Sequence, residues 1–238
     1  MYQLFILIFF LPLSLFSNEK IINTFPSDGL ININSLYWEV QNDITKSKNL
    51  LTASRLIFLR EDEFKLTNLN FNIIEENNSV KIIKSDLGQF LLNTNTIEFN
   101  SNVLFSMESE NIDMSISSEF IIFDNNLHII YSNSKTSFES ELTKISSEGF
   151  KVLNNSLNKK QITFSKGTIS DAGIQNNLKI SGYADKINYQ YEEDILILIG
   201  SAEITDRGMT IKASEIHYDL ASNKIIKSLD SKLINNSW

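Results

Sequence analysis

Few residues in this chain could make or break bonds. It holds 2 histidines, His128 and His217. Alternation sets each opposite its large neighbours, Leu127 and Ile129 or Ile216 and Tyr218, so both read as solvent-facing strand residues. No nucleophile elbow of the form G-x-S-x-G accompanies them, and there is no phosphate-binding glycine loop and no H-E-x-x-H. The acidic runs Glu61-Asp62-Glu63 and Glu192-Glu193-Asp194 carry enough carboxylates for calcium. They lack an EF-hand loop or a nonapeptide repeat, so hairpin tips are the better reading. The absence of Cys removes thiolate metal sites, disulfides and an acyl-Cys anchor. The sequence therefore predicts no catalytic residue, no metal and no cofactor, and a protein that is not an enzyme.

What the residues do build is strand after strand. In Ile195–Thr205 the side chains of Leu196, Leu198, Gly200, Ala202 and Ile204 fall on one face, while Ile197, Ile199, Ser201 and Glu203 fall on the other. Nothing after Pro26 is a proline, so every later amide can join a ladder. Gly totals only 8, and the turns use Asn, Asp, Glu and Ser instead. Glu61-Asp62-Glu63, Glu75-Glu76-Asn77-Asn78, Asp124-Asn125-Asn126, Asn154-Asn155, Asn176-Asn177, Glu192-Glu193-Asp194 and Ser222-Asn223 each separate one alternating run from the next. An internal echo pairs Ile116, Ser118, Ile121, Phe123 and Asp124 with Ile211, Ala213, Ile216, Tyr218 and Asp219. A second echo sets Ile97 and Phe99 against Ile187 and Tyr189. The spacing is too irregular for a solenoid and fits hairpins laid side by side.

The chain has 238 residues, 42% of them hydrophobic, and a formal net charge of −8. That suffices for one all-β domain, and the acidic balance argues against nucleic acid as a partner. Residues 1–17 open with MYQLFILIFFLPLSLF, an uncharged apolar run shorter than a membrane span. They read as a leader helix, either a signal peptide or an uncleaved signal-anchor, that sends the rest of the chain out of the cytoplasm.

A sheet with one long apolar face must cover it. Either two walls interdigitate into a filled core, or they leave a groove for lipid tails. Each methylene removed from water gains about 0.8 kcal/mol, so a chain of roughly a dozen carbons gains about 9 kcal/mol without a specific polar contact.

The C-terminal stretch resembles the periplasmic lipopolysaccharide-transport proteins of the LptA, or OstA-like, type. The carrying residues are Gly182, Ala184, Ile187, Tyr189, Leu196, Leu198, Gly200, Ala202, Ile211, Ala213, Ile216 and Tyr218. The preceding stretch resembles LptC, through Trp38-x-Val40, ASRLIFL from Ala53, NVLFSME from Asn102 and Ser147-Glu148-Gly149-Phe150. The resemblance divides the chain into an N-terminal extension at 18–37, an LptC-like portion at 38–171 and an LptA-like portion at 172–238, joined in one continuous roll. It implies an open, twisted β-jelly roll of antiparallel hairpins in the periplasm, with residues 1–17 removed or anchoring it to the inner membrane. It further implies a partner in lipopolysaccharide, held by its lipid A moiety. Other β-roll Lpt proteins would be joined by edge-strand addition, and an inner-membrane ABC transporter complex would supply energy. By parity the groove falls to Ile97, Phe99, Val103, Phe105, Met114, Ile116, Ile121, Phe123, Ile187, Tyr189, Leu196, Leu198, Ile204, Ile211, Ile216 and Tyr218. The competing expectation is a structural or adhesive β-protein with a packed core that binds partners through its sheet edges.

Overall fold

The computed structural model describes residues 32–42, 46–60, 62–76, 79–109, 112–153, 160–172, 180–206 and 208–235. The leader at 1–17 lies outside them. Among the described residues sixteen strands form a single antiparallel sheet. They are β1 (Asn32–Asn42), β2 (Ser47–Arg60), β3 (Glu63–Ile74), β4 (Val80–Leu91), β5 (Thr96–Ser109), β6 (Ile112–Asp124), β7 (Ile129–Ser132) and β8 (Thr136–Ser140). Then come β9 (Lys144–Ser147), β10 (Gly149–Leu153), β11 (Gln161–Ala172), β12 (Ile180–Gln190), β13 (Ile195–Asp206), β14 (Met209–Asp219), β15 (Lys224–Leu229) and β16 (Lys232–Asn235). The first strand starts at Asn32, inside the segment expected as an extension. Ser35, at φ 74°, breaks its alternation and hides Ile33 and Leu36 from a parity count.

Most strands are too long to stay straight on a curved core, and they bend near the middle. The register breaks between Lys84 and Leu87, Asn100 and Val103, Tyr183 and Lys186, and Ile199 and Ala202. Left-handed residues sit at these bends: Asn68, Ser101, Asn102, Lys166, Gly200 and Ser201 have φ of 50°, 63°, 52°, 47°, 74° and 47°. Such residues turn the strand and re-aim its side chains. The bends align across neighbouring strands into one polar corner. Asn68 Nδ2 donates to Ser54 Oγ at 3.0 Å, Asn102 Nδ2 to Asp86 Oδ2 at 2.6 Å and Ser214 Oγ to Asp230 Oδ2 at 2.8 Å. Where the corner crosses β7–β8, β9–β10 and β15–β16, the chain breaks the strand in two instead of bulging. β6 thus pairs with both β7 and β8, β11 with both β10 and β9, and β14 with both β15 and β16.

The result is a meander creased lengthwise into two walls: an open, twisted β-jelly roll. Among the described residues the sheet does not close on itself, since β1 and the β15/β16 pair each have a partner on one side only. The crease also corrects the second internal echo. β5 is one bent strand, whereas the segment holding Ile187 and Tyr189 ends β12 and runs the other way. The true counterpart of β5 is β13, with Ile97, Phe99, Val103 and Phe105 matching Leu196, Leu198, Ala202 and Ile204 around the same two-residue bend. The first echo is structural: Asp124 Oδ1 accepts the amides of Asn126 and Leu127, as Asp219 Oδ1 accepts that of Ser222, each closing a turn.

Near the crease most of the inward residues are small: Ala53, Ser85, Ser118, Thr136, Ser147, Gly167, Ala184, Ala202 and Ala213, with Leu69 and Val103 among them. Gly149 opens β10 at this place, and a Cβ on it would run into the carbonyl oxygen of Ser132. A backbone oxygen cannot move aside as a side chain can. Gly149→Ala is therefore expected to cost about 2 kcal/mol, read as a lower urea midpoint at unchanged slope.

Candidate functional site: the interior between the walls

Three lateral rows of side chains line the inside. The first crosses the whole of one wall: Trp38, Leu51, Phe71, Ile83, Phe105, Ile116, Phe138, Ile145, Ile169, Gly182, Ile204, Ile211 and Leu233, each directly opposite the next. Directly opposed residues point to the same side, so one inward residue fixes the direction of the row. The facing wall carries the other rows. One holds Phe99, Ile121, Phe150, Phe164, Ile187, Leu198 and Ile216, and the next holds Phe58, Phe64, Phe90, Ile97, Phe123, Ile130, Val152, Ile162, Tyr189, Leu196, Tyr218 and Ile225.

Every residue assigned by parity to the groove lies on this inner face. Ile97, Phe99, Val103, Phe105, Met114, Ile116, Ile121, Phe123, Ile187, Tyr189, Leu196, Leu198, Ile204, Ile216 and Tyr218 are buried, and Ile211 is partly buried. The large residues resume on the same face from one half-strand to the next, which keeps these positions together across the bends. Parity missed the aromatic residues that face them across the gap. All four rings of the first row touch the other wall: Trp38 meets Phe90 at 6.1 Å, Phe71 meets Phe123 at 4.9 Å and Phe99 at 6.0 Å, Phe105 stacks on Phe150 at 6.1 Å, and Phe138 meets Phe164 at 5.2 Å and Tyr189 at 5.4 Å between ring centroids. These contacts prop the walls against each other from β1 to β12. Beyond Phe138 the first row is aliphatic, with Gly182 in its middle.

Burial tapers at both ends of the roll. Along the first row Ile204 is buried, Ile211 is partly buried, and Leu233 is 61% exposed although it points inward. At the other end Ile33, Leu36 and Trp38 are only partly buried. The apolar inner face thus runs out to solvent at each end strand.

The candidates for chemistry are elsewhere. His217 lies on β14 and hydrogen-bonds Glu215 at 2.6 Å on the outer face, where Lys227 reaches the same carboxylate at 2.8 Å. His128 is not a strand residue. It closes the β6–β7 turn with φ 52°, because a four-residue loop needs a left-handed residue there. Asp62 and the Glu192–Asp194 run are at hairpin tips. Among the described residues no three His, Cys, Asp or Glu side chains gather as metal ligands. Tyr189 is held protonated by burial and by Asp194, whose Oδ1 accepts its hydroxyl at 3.1 Å.

The family model described as LptA/(LptD N-terminal domain) LPS transport protein matches residues 83–224, more than half of the chain. The chain belongs to this family. No curated protein sequence matches it. A solved structure is similar: LptH, the LptA homologous periplasmic component of the conserved lipopolysaccharide transport device from Pseudomonas aeruginosa, over 51% of this chain and 93% of its own, with TM-score 0.45 and 11% sequence identity. The LptA-type match starts within β4 and ends at Lys224, so it crosses the 171/172 boundary as the sheet itself does. The Gly-x-Ala pairs of the lipopolysaccharide-transport resemblance now have a geometric reason. Gly182–Ala184 and Gly200–Ala202 sit beside the crease, where a Cβ on Gly182 would run into the Glu203 carbonyl oxygen of the next strand and Gly200 takes a left-handed φ of 74°.

Proposed function

We propose that this member of the family carries lipopolysaccharide through the periplasm, its lipid A acyl chains lying between the two walls, and passes it along a bridge of similar rolls to the outer membrane. One observation supports this above the others: among the described residues the inner apolar face spans every strand and emerges at both end strands. An unsealed end strand also offers unpaired amides and carbonyls, on which a neighbouring β-roll adds its own strand and continues the face. The portion at 38–171 keeps its LptC-like place towards an inner-membrane ABC transporter complex, and the portion at 172–238 its LptA-like place towards the next roll. Residues 1–17 direct export or hold the chain at the inner membrane. Acyl chains entering between the walls exchange ring-to-ring contacts for methylene-to-ring contacts, which are close in energy per unit area.

Photo-crosslinkers at single positions test this reading. Probes at Leu198 and Phe123, buried on the inner face, are expected to capture the lipid in cells, and probes at Ile197 and Ile122, on the outer face, are not. The aromatic props favour a second reading, a packed structural or adhesive β-protein that binds through its edges. Adducts absent from all four positions, or equal at all four, would favour that one.

A further inference from the structure

The three inner rows carry no charged side chain. A fourth row, nearer the free rim of the first wall, runs Val40, Asn49, Ile73, Lys81, Met107, Met114. Lys81 is its one charge, and it is 4% exposed. Its ammonium pairs with Glu75 Oε1, while Ser79 Oγ donates to Glu75 Oε2 at 2.6 Å. Glu75 and Ser79 belong to the turn between β3 and β4. Lys160 and Tyr191 come from the rim of the other wall, where the Tyr191 amide donates to the Lys160 carbonyl at 3.3 Å. Lys160 is paired with Glu192 at 2.6 Å, and its charge acts on both Glu75 and Lys81. Lys160 therefore lies within electrostatic reach of the Lys81–Glu75 pair.

A methionine at position 81 would match its neighbours and avoid the desolvation of an ion pair. The lysine is placed where the apolar interior ends and water begins. From this geometry we infer that Lys81, with Lys160, is a subsite for the phosphate of an amphiphile's headgroup, an inference that rests on the lipid-carrying reading above. Acyl chains run inward along the rows, and the phosphate stops at the rim. Glu75 occupies the anion's place. It is carried on a turn and its side chain is 26% exposed, so it can swing into water, whereas Lys81 is held between Ile73 and Met107. The exchange keeps the buried ammonium neutralised through a charge-assisted hydrogen bond, and the Lys160 charge adds its attraction.

The test compares binding of bis-phosphorylated lipid A with the same lipid stripped of its phosphates, using the full chain. Wild type is expected to favour the phosphorylated lipid by about tenfold, the worth of one charge-assisted contact. Lys81→Met should abolish the preference, so that the folded variant binds the two lipids with equal affinity. Lys160→Gln should reduce it, which supports the subsite even where Lys81→Met folds poorly. Inorganic phosphate alone should not displace the dephosphorylated lipid. Equal affinities in wild type, or a preference that survives in folded Lys81→Met, overturn the subsite alone. If neither lipid binds wild type, the carrier reading falls with it.

Discussion

Glu75→Gln is expected to destabilise the protein by about 3 kcal/mol at neutral pH, the penalty for removing one partner of a buried pair. Burial holds the Lys81 ammonium below its ordinary value of 10.5, and Glu75 limits that fall. Burial also raises Glu75, but attraction to Lys81 and the hydrogen bonds from Lys81 and Ser79 outweigh it, so the carboxyl lies below its ordinary range. Without the carboxylate, Lys81 in the folded protein falls further. Between that lowered value and the ordinary one, the unfolded chain binds more protons than the folded chain, so stability rises with pH there. The deficit of Glu75→Gln against wild type should therefore be full below the lowered lysine value and shrink as pH approaches 10.5. Urea unfolding across that range measures it. In Glu75→Gln/Lys81→Met no charge is left to desolvate, and both the deficit and its pH dependence should vanish. A deficit that is the same at every pH would mean that the pair contributes only packing.

Lys81 also shows where the sequence stops being legible. On β4 it alternates with Ile82 as a polar residue should, and nothing in VKIIKSD marks it as the inward one. Its face is set by Ile73 and Met107, which register brings alongside from other strands. The turns and the apolar face were legible, because each turn needs Asn, Asp or Gly chemistry and each half-strand keeps a period of two. The crease was not. A one-residue bulge flips parity, and the apolar residues resume so soon that β6 or β14 still reads as a single strand. Small polar residues in mid-run, such as Asn68, Asp86, Ser101-Asn102 and Gly200-Ser201, were the available signal. Their meaning depends on their lying side by side across the sheet, which no single strand reveals. His128 was misplaced for a related reason: a left-handed turn residue and an outward strand residue are both polar and flanked by apolar ones.

The aromatic props make the larger prediction. Phe138 is fully buried, pairs with Ile116 and Ile145 in the first row, and touches Phe164 and Tyr189 on the opposite wall. It lies on β8, a strand of 5 residues. Little local structure can collapse to refill the space, because β6 and β9 hold β8 on both sides. Phe138→Ala should therefore cost about 4 kcal/mol, well within the range for buried rings. Ser137→Ala, which changes an exposed neighbour pointing the other way, should cost less than about 0.5 kcal/mol. The void matters for function as well as for stability. If acyl chains occupy the interior, a lipid can fill the place of the missing ring, and binding to the folded state alone restores stability in proportion to the gain in affinity. Saturating lipid A should then raise the melting temperature of Phe138→Ala more than that of wild type. A variant that is destabilised as expected but gains no more from lipid than wild type would show that the chains do not pass beside the Phe138 prop, and would confine them to the aliphatic stretch between Gly182 and Leu233.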